Sequence, residues 1–481
     1  MMGSPQIIQG GMGVAVSTWR LARAVSESGQ LGVVSGTGLD AVLARRLQIG
    51  DPDGQMRFAL DAFPIPEMAQ RILARYFEPG GKKESKPFKS KPIALQASSK
   101  ALLELTIAAN FVEVFLAKAG HKGLVGINFL EKIQLPTLPS LFGAMLAGVD
   151  YVLMGAGIPR AIPAIIDKMA ALQPTQLKLD VHGALPGEEF MVDFDPKEFA
   201  PAGLTSLHRP NFLAIIASTT LAITLARKST GKVDGFVVEG WTAGGHNAPP
   251  RGTMQLDEKG EPIYGPRDIP DLAEIAKLGL PFWLAGSYAD PAKLREALSL
   301  GAAGIQVGTA FAFCEESGIA PEIKQRAITK CLEGRGLVHT DPLASPTGFP
   351  FKVFELEGTL SDDETYEGRE RVCDLGYLRQ FYRKADGKVG YRCPAEPVED
   401  FVAKGGEAED TVSRKCVCNG LFGTIGLGQI RKDGTVEPAI ITAGDDVANL
   451  AKFAGEGRHS YKAADVIAFL LGSGGQPSLA S

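Results

Sequence analysis

Short apolar runs, each stopping at a glycine or a small polar residue, recur along this chain. Ile7-Ile8-Gln9 runs into Gly10-Gly11-Met12-Gly13, and Leu31 to Ser35 runs into Gly36-Thr37-Gly38. The design returns in Gly123 to Phe129, Val149 to Met154, Phe212 to Ser218, Gly235 to Glu239, Pro281 to Ala285 and Ala303 to Val307. Runs of this length without polar alternation read as strands buried on both faces, as in a parallel sheet. Helix-length amphipathic stretches such as Ser17 to Ser28 and Asp290 to Leu300 lie between them. Eight strand–helix units predict a closed TIM (β/α)8 barrel of the α/β class, with the strand C-termini and their loops opening on one face. An open doubly wound sheet would also place ligands at strand ends, but it needs fewer units.

Three stretches exceed that plan. Residues from about 48 to 119 form an enlarged connection with helical segments at Ala69 to Tyr76 and Ser99 to Ala119. From about 175 to 210, Leu177 to Val181 and Glu189 to Phe194 alternate at period two around His182 to Gly187, the pattern of an inserted hairpin. Beyond Thr340 the texture turns polar and loop-rich until Ala463 to Leu471 gives a closing helix. The expected division is a barrel over residues 1–340 and a C-terminal extension over 341–481.

Composition narrows the partners. With 45% hydrophobic and 22% charged residues and a net charge of -5, the chain has no general attraction for nucleic acid or anionic lipid. A small-molecule substrate is expected, and the composition leaves room for a homo-oligomer. The basic cluster Lys82 to Lys91 reads as a solvated loop. Phe212 to Ala226, the longest apolar run, is interrupted by Ser218, Thr219, Thr220 and Thr224 and is too short to span a bilayer. Gln6 to Gly11 already reads as a first strand rather than a signal peptide, so a cytoplasmic setting is expected.

Candidate chemistry concentrates in Val237-Val238-Glu239-Gly240-Trp241-Thr242-Ala243-Gly244-Gly245-His246. A β-branched run that ends on a carboxylate and enters a glycine loop brings backbone close to a flat or anionic ligand, with a titratable ring beside it. The plainer alternative is a turn with a hydrogen-bonded histidine. Cys373, Cys393, Cys416 and Cys418 form a second set, which either binds zinc or an iron–sulfur cluster or stays as ordinary reduced thiols. Their spacing lacks the paired C-x-x-C of a zinc ribbon, which favours no metal.

Taken in order, Ile7 to Gly13, Asn128, Met154-Gly155-Ala156-Gly157, Glu239 with Ala243 to His246, and Gln306-Val307-Gly308-Thr309-Ala310-Phe311 resemble the nitronate monooxygenase (2-nitropropane dioxygenase) family. That family includes flavin-dependent enoyl reductases and NAD(P)H:quinone reductases. The resemblance covers roughly Pro5 to Glu316. It implies an FMN-binding barrel in which Gly11-Met12-Gly13 lies against the isoalloxazine. Asn128 and Ser218 would stand near the ring edge, with Glu239, Gly244 and Gly245 beside it. Ala285-Gly286-Ser287, Gln306 and Gly308-Thr309 would close the cofactor site, the phosphate taking backbone N–H groups. The family more often has Gly-Gly where this chain has Gly286-Ser287, and the run Asn247 to Gly252 after His246 is a larger departure.

His246 stands at the family's catalytic histidine, and a ring with a pKa near 6.5 would serve as base towards a nitroalkane carbon or as donor to a nitronate or enolate oxygen. Glu239 would orient His246 or meet the flavin, unless it is a carboxylate paired to a neighbouring strand. Trp241 would wall the pocket or pack at the core edge, and Arg251 and Arg267 would hold a carrier phosphate or NADPH, or pair at the surface. His121 and His182 read as structural. The functions that follow are an FMN-dependent oxidation of alkyl nitronates with O2, or NAD(P)H-dependent reduction of an enoyl thioester, acyl-carrier-bound substrate or quinone. A different class would be a barrel whose tail binds a partner and whose site does little chemistry.

Overall fold

The computed structural model describes residues 4–454 and 459–472. All the expected barrel strands form: β1 (Ile7–Gln9), β2 (Gly32–Ser35), β3 (Val125–Leu130), β4 (Tyr151–Gly155), β5 (Asn211–Ile216), β6 (Gly235–Glu239), β7 (Phe282–Ala285) and β8 (Gly304–Val307). Each pairs in parallel with its sequence neighbour from β2 to β8, and β8 pairs with β1. The ring closes where Ile8 bridges Leu31, with Gln9 N donating to Leu31 O at 3.0 Å and Leu31 N to Ile7 O at 3.1 Å.

Strand periodicity sorts the core into two layers. Ile8, Val33, Leu153, Leu213, Val237 and Trp283 fill the barrel, and the Trp283 indole N–H donates to Pro5 O at 2.8 Å across its floor. Ile7, Val34, Ile127, Phe212, Phe236, Phe282 and Ile305 point the other way, into the helical layer.

Two boundaries differ from expectation. The stretch from 48 to 119 is not merely inserted, because helix Lys100–Lys118 packs against helices Trp19–Glu27 and Thr137–Leu146 as the returning helix between β2 and β3. Its buried carboxylates are paired: Glu104 with Arg71 at 2.7 Å, and Glu113 with Arg46 and the Trp19 backbone N–H. Nor does the extension begin cleanly after residue 340. Strand Val338–Asp341 pairs with Phe351–Phe354, which in turn pairs with Gly245–His246 of the glycine loop. The expected hairpin forms from Thr175–Lys178 and Met191–Phe194, and Val181–His182 beside it joins strands Gln380–Arg383 and Val389–Arg392.

One continuous apolar core therefore runs from the barrel helices into the extension. The basic stretch 82–91, expected to be solvated, partly belongs to this seam. Phe88 is buried beneath Arg45, and Lys91, whose side chain is only 5% exposed, pairs with Asp40 at 2.9 Å, where the Tyr377 hydroxyl also donates. No helix among the described residues is long and apolar enough to cross a membrane.

Candidate active site

The strand C-termini open into one cavity whose empty space, counted out to its mouth, is about 1550 Å³. Gly11, Met12, Gly13, Asn128, Glu239, Gly244, Gly245, His246, Ala285, Gly286, Ser287, Gln306, Gly308 and Thr309 all line it. Ser218 does not. The strand ends at Ile216, the chain turns, and the Ser218 hydroxyl caps helix Thr219–Lys228 by accepting from Leu221 N at 3.2 Å; Ile215, on the inward face, lines the cavity instead.

The first glycine turn is built for close approach. A Cβ on Gly11 would fall 2.3 Å from Asn128 Cβ, and Asn128 Nδ2 donates to Gly11 O at 3.3 Å. Buried Ser17 ties the turn together: it accepts from Met12 N at 2.9 Å and donates to Gly10 O at 2.8 Å. Across the cavity Gly286 and Ser287 both carry positive φ, +100° and +56°, a turn that costs a non-glycine residue about 1–2 kcal/mol.

His246 and Glu239 are set in different ways. The His246 ring packs on Phe351, with centroids 4.7 Å apart, and its Nε2 lies 2.7 Å from the hydroxyl of fully buried Ser345. The group that orients the imidazole is therefore a serine of the extension, not Glu239. Burial and the nearby Lys132 charge hold His246 down to about 4, so the ring is neutral at physiological pH. The expected value near 6.5 does not survive closure of the site. Glu239 moves the other way: burial without a compensating charge or hydrogen bond among the described residues pushes it up to about 7.

The remaining candidates lie elsewhere. Trp241 stacks on Tyr264 at 5.2 Å and does not line the cavity. Arg251 and Arg267 are exposed, and His121 accepts from Gly123 N and contacts Ala117 O. Cys373, Cys393, Cys416 and Cys418 do come together, packed around Ala395 as free thiols. Among the described residues, no group of three or more His, Cys, Asp or Glu is placed to hold an ion. The opposite wall of the cavity, which sequence reasoning missed, comes from the extension: Leu378, Val417, Leu421, Ile440 and Ile441 make it apolar.

Residues 178–341 match the family model of nitronate monooxygenase, and through this stretch the chain is related to that family. A probable nitronate monooxygenase of Bacillus subtilis is 39% identical over 97 residues, which is 20% of this chain and 26% of the relative. A (3aS,4S,5R,7aS)-5-hydroxy-7a-methyl-1-oxo-octahydro-1H-indene-4-carboxyl-CoA dehydrogenase of Mycobacterium tuberculosis is 28% identical over 145 residues, 30% of this chain and 36% of the relative. The chain thus spans about a quarter to a third of the length of these curated relatives. The solved structure of FabK from Thermotoga maritima aligns over 98% of this chain and 92% of its own, at 15% identity and a TM-score of 0.47.

Proposed function

We propose that this protein is an FMN-dependent oxidoreductase of the nitronate monooxygenase type, acting on a small molecule in the cytoplasm. The observation that carries this reading is the convergence of the glycine turns, Asn128, Gln306 and the pair His246 and Glu239 on one cavity at the barrel mouth. The donors and acceptors lining the cavity fit a flavin. Asn128 Oδ1, Ser287 Oγ, Gln306 Oε1 and Thr442 Oγ1 are buried without a partner among the described residues, and all four residues line the cavity. Buried polar atoms of this kind are ordinarily satisfied, so a ligand rich in ring N–H, C=O and phosphate oxygens suits them. When bound, the flavin supplies a two-electron acceptor.

The protein's part is to place substrate and protons. His246, neutral and held at Nε2 by Ser345, has Nδ1 left as base towards an acidic carbon or as donor to a developing oxyanion. Glu239, protonated up to about pH 7, is the site's proton donor. A second reading, reduction of an enoyl thioester or quinone with NAD(P)H as reductant, is favoured by the apolar wall of Leu378, Val417, Leu421, Ile440 and Ile441, which suits an acyl chain better than a small nitroalkane. Reconstitution with FMN followed by two assays separates the readings. Oxygen uptake with an alkyl nitronate and no NADPH supports the first, and anaerobic bleaching by NADPH with turnover of an enoyl thioester supports the second. A protein that retains no flavin would refute both.

A further inference from the structure

The loops expected to hold a phosphate are not the barrel's alone. Residues 442–446 of the extension lie across them: Gly444 N donates to Thr309 Oγ1 at 2.9 Å, and Asp445 N donates to Thr242 O at 3.0 Å. Thr242 is the hinge of the arrangement. A Cβ on Gly286 would fall 2.8 Å from its hydroxyl, and a Cβ on Gly444 2.8 Å from its carbonyl oxygen. The turn that carries Ser287 and the strap that carries Thr442 thus meet on either side of one residue.

Two observations at this junction point to a ligand. The hydroxyls of Ser287 and Thr442, both on residues lining the cavity, are buried with no partner among the described residues. Leaving such a group unpaired is unfavourable, and an acceptor oxygen would relieve it. Asp446 has the opposite character. Its carboxyl also lines the cavity, beside Gly444, and burial holds it above the usual carboxylate range, so that it sets a charge beside the same loops once ionised.

We infer that the strap 442–446 completes the phosphate end of the cofactor site, with Thr442 donating its hydroxyl to the phosphate and Asp446 opposing it. The inference rests on the flavin reading above. Thr442 adds one charge-assisted hydrogen bond, worth about tenfold in affinity. Asp446, once ionised beside the same loops, repels the phosphate charge, so the preference for a phosphorylated flavin is held below what the barrel loops alone would give.

Riboflavin, which has the ring and ribityl chain without the phosphate, isolates this end of the site. Flavin fluorescence titrations of the full-length apoprotein should show that Thr442→Val weakens FMN about tenfold and leaves riboflavin within about twofold. Asp446→Asn should tighten FMN about fivefold with riboflavin unchanged, since the amide keeps the shape and removes the charge. Both variants are close to isosteric, thermal melts verify that they fold, and Asp446→Asn decides the matter alone if Thr442→Val does not. Shifts of equal size for both flavins, or none for either, overturn the role of the strap while leaving the flavin reading intact. A wild-type protein that binds neither flavin removes that reading, and the strap's role with it.

Discussion

The two sides of the cavity are made of different material. The barrel side presents glycine backbone and polar side chains, Gly11, Asn128, Gly286 and Gln306 among them, whereas the extension side presents Leu378, Leu421, Ile440 and Ile441. Backbone amides and small residues suit a cofactor whose shape is fixed. A wall of aliphatic side chains suits a substrate chosen by shape and apolar area. The histidine stands on the border, carried by the barrel's loop and held by the extension's Ser345 and Phe351. The contrast suggests that binding of the cofactor and choice of the substrate are separable by mutation.

His246→Ala tests the border most severely: turnover should fall about a thousandfold while FMN affinity, read by fluorescence, stays unchanged. On the barrel side alone, Arg46→Met should leave the Glu113 carboxylate buried without its cation and cost about 3 kcal/mol in a denaturant melt. Glu239→Gln gives a pH-dependent effect. The carboxyl's folded pKa of about 7 lies above its ordinary 4.5, so its contribution is fully present below about pH 4.5 and lost as pH rises through 7. The variant should match wild type in stability at pH 4 and exceed it by about 3 kcal/mol at pH 8. Wild type should show an alkaline decline in rate near pH 7 that the variant lacks. The smallest effect belongs to the extension side: Ser345→Ala should lower kcat about tenfold with flavin affinity and melting temperature nearly unchanged, because it frees the imidazole to rotate.

The eight strands could be read from sequence because a strand covered on both faces is an uninterrupted apolar run, and each empties into glycines that local chemistry makes conspicuous. Ser218 was misplaced because the run Phe212 to Ser218 shows no break where the strand stops at Ile216; the capping bond to Leu221 marks that turn only in three dimensions. Ser345 was invisible for another reason. It meets His246 across 99 residues of chain, and nothing in the sequence around it differs from any polar loop. The shifts of His246 and Glu239 share that origin, since burial beneath the extension sets them and no local pattern encodes burial by a distant segment. Lys91 was read with its basic neighbours, but its partner Asp40 and the Tyr377 ring above it lie on separate elements.

The two-residue strand Gly245–His246 has its ladder partner at Phe351 and Lys352. During synthesis, all eight staves of the cask emerge from the ribosome well before the piece that fixes the imidazole in register. Until Ser345 and Phe351 have been made, a nascent barrel bears an unaligned loop at its mouth.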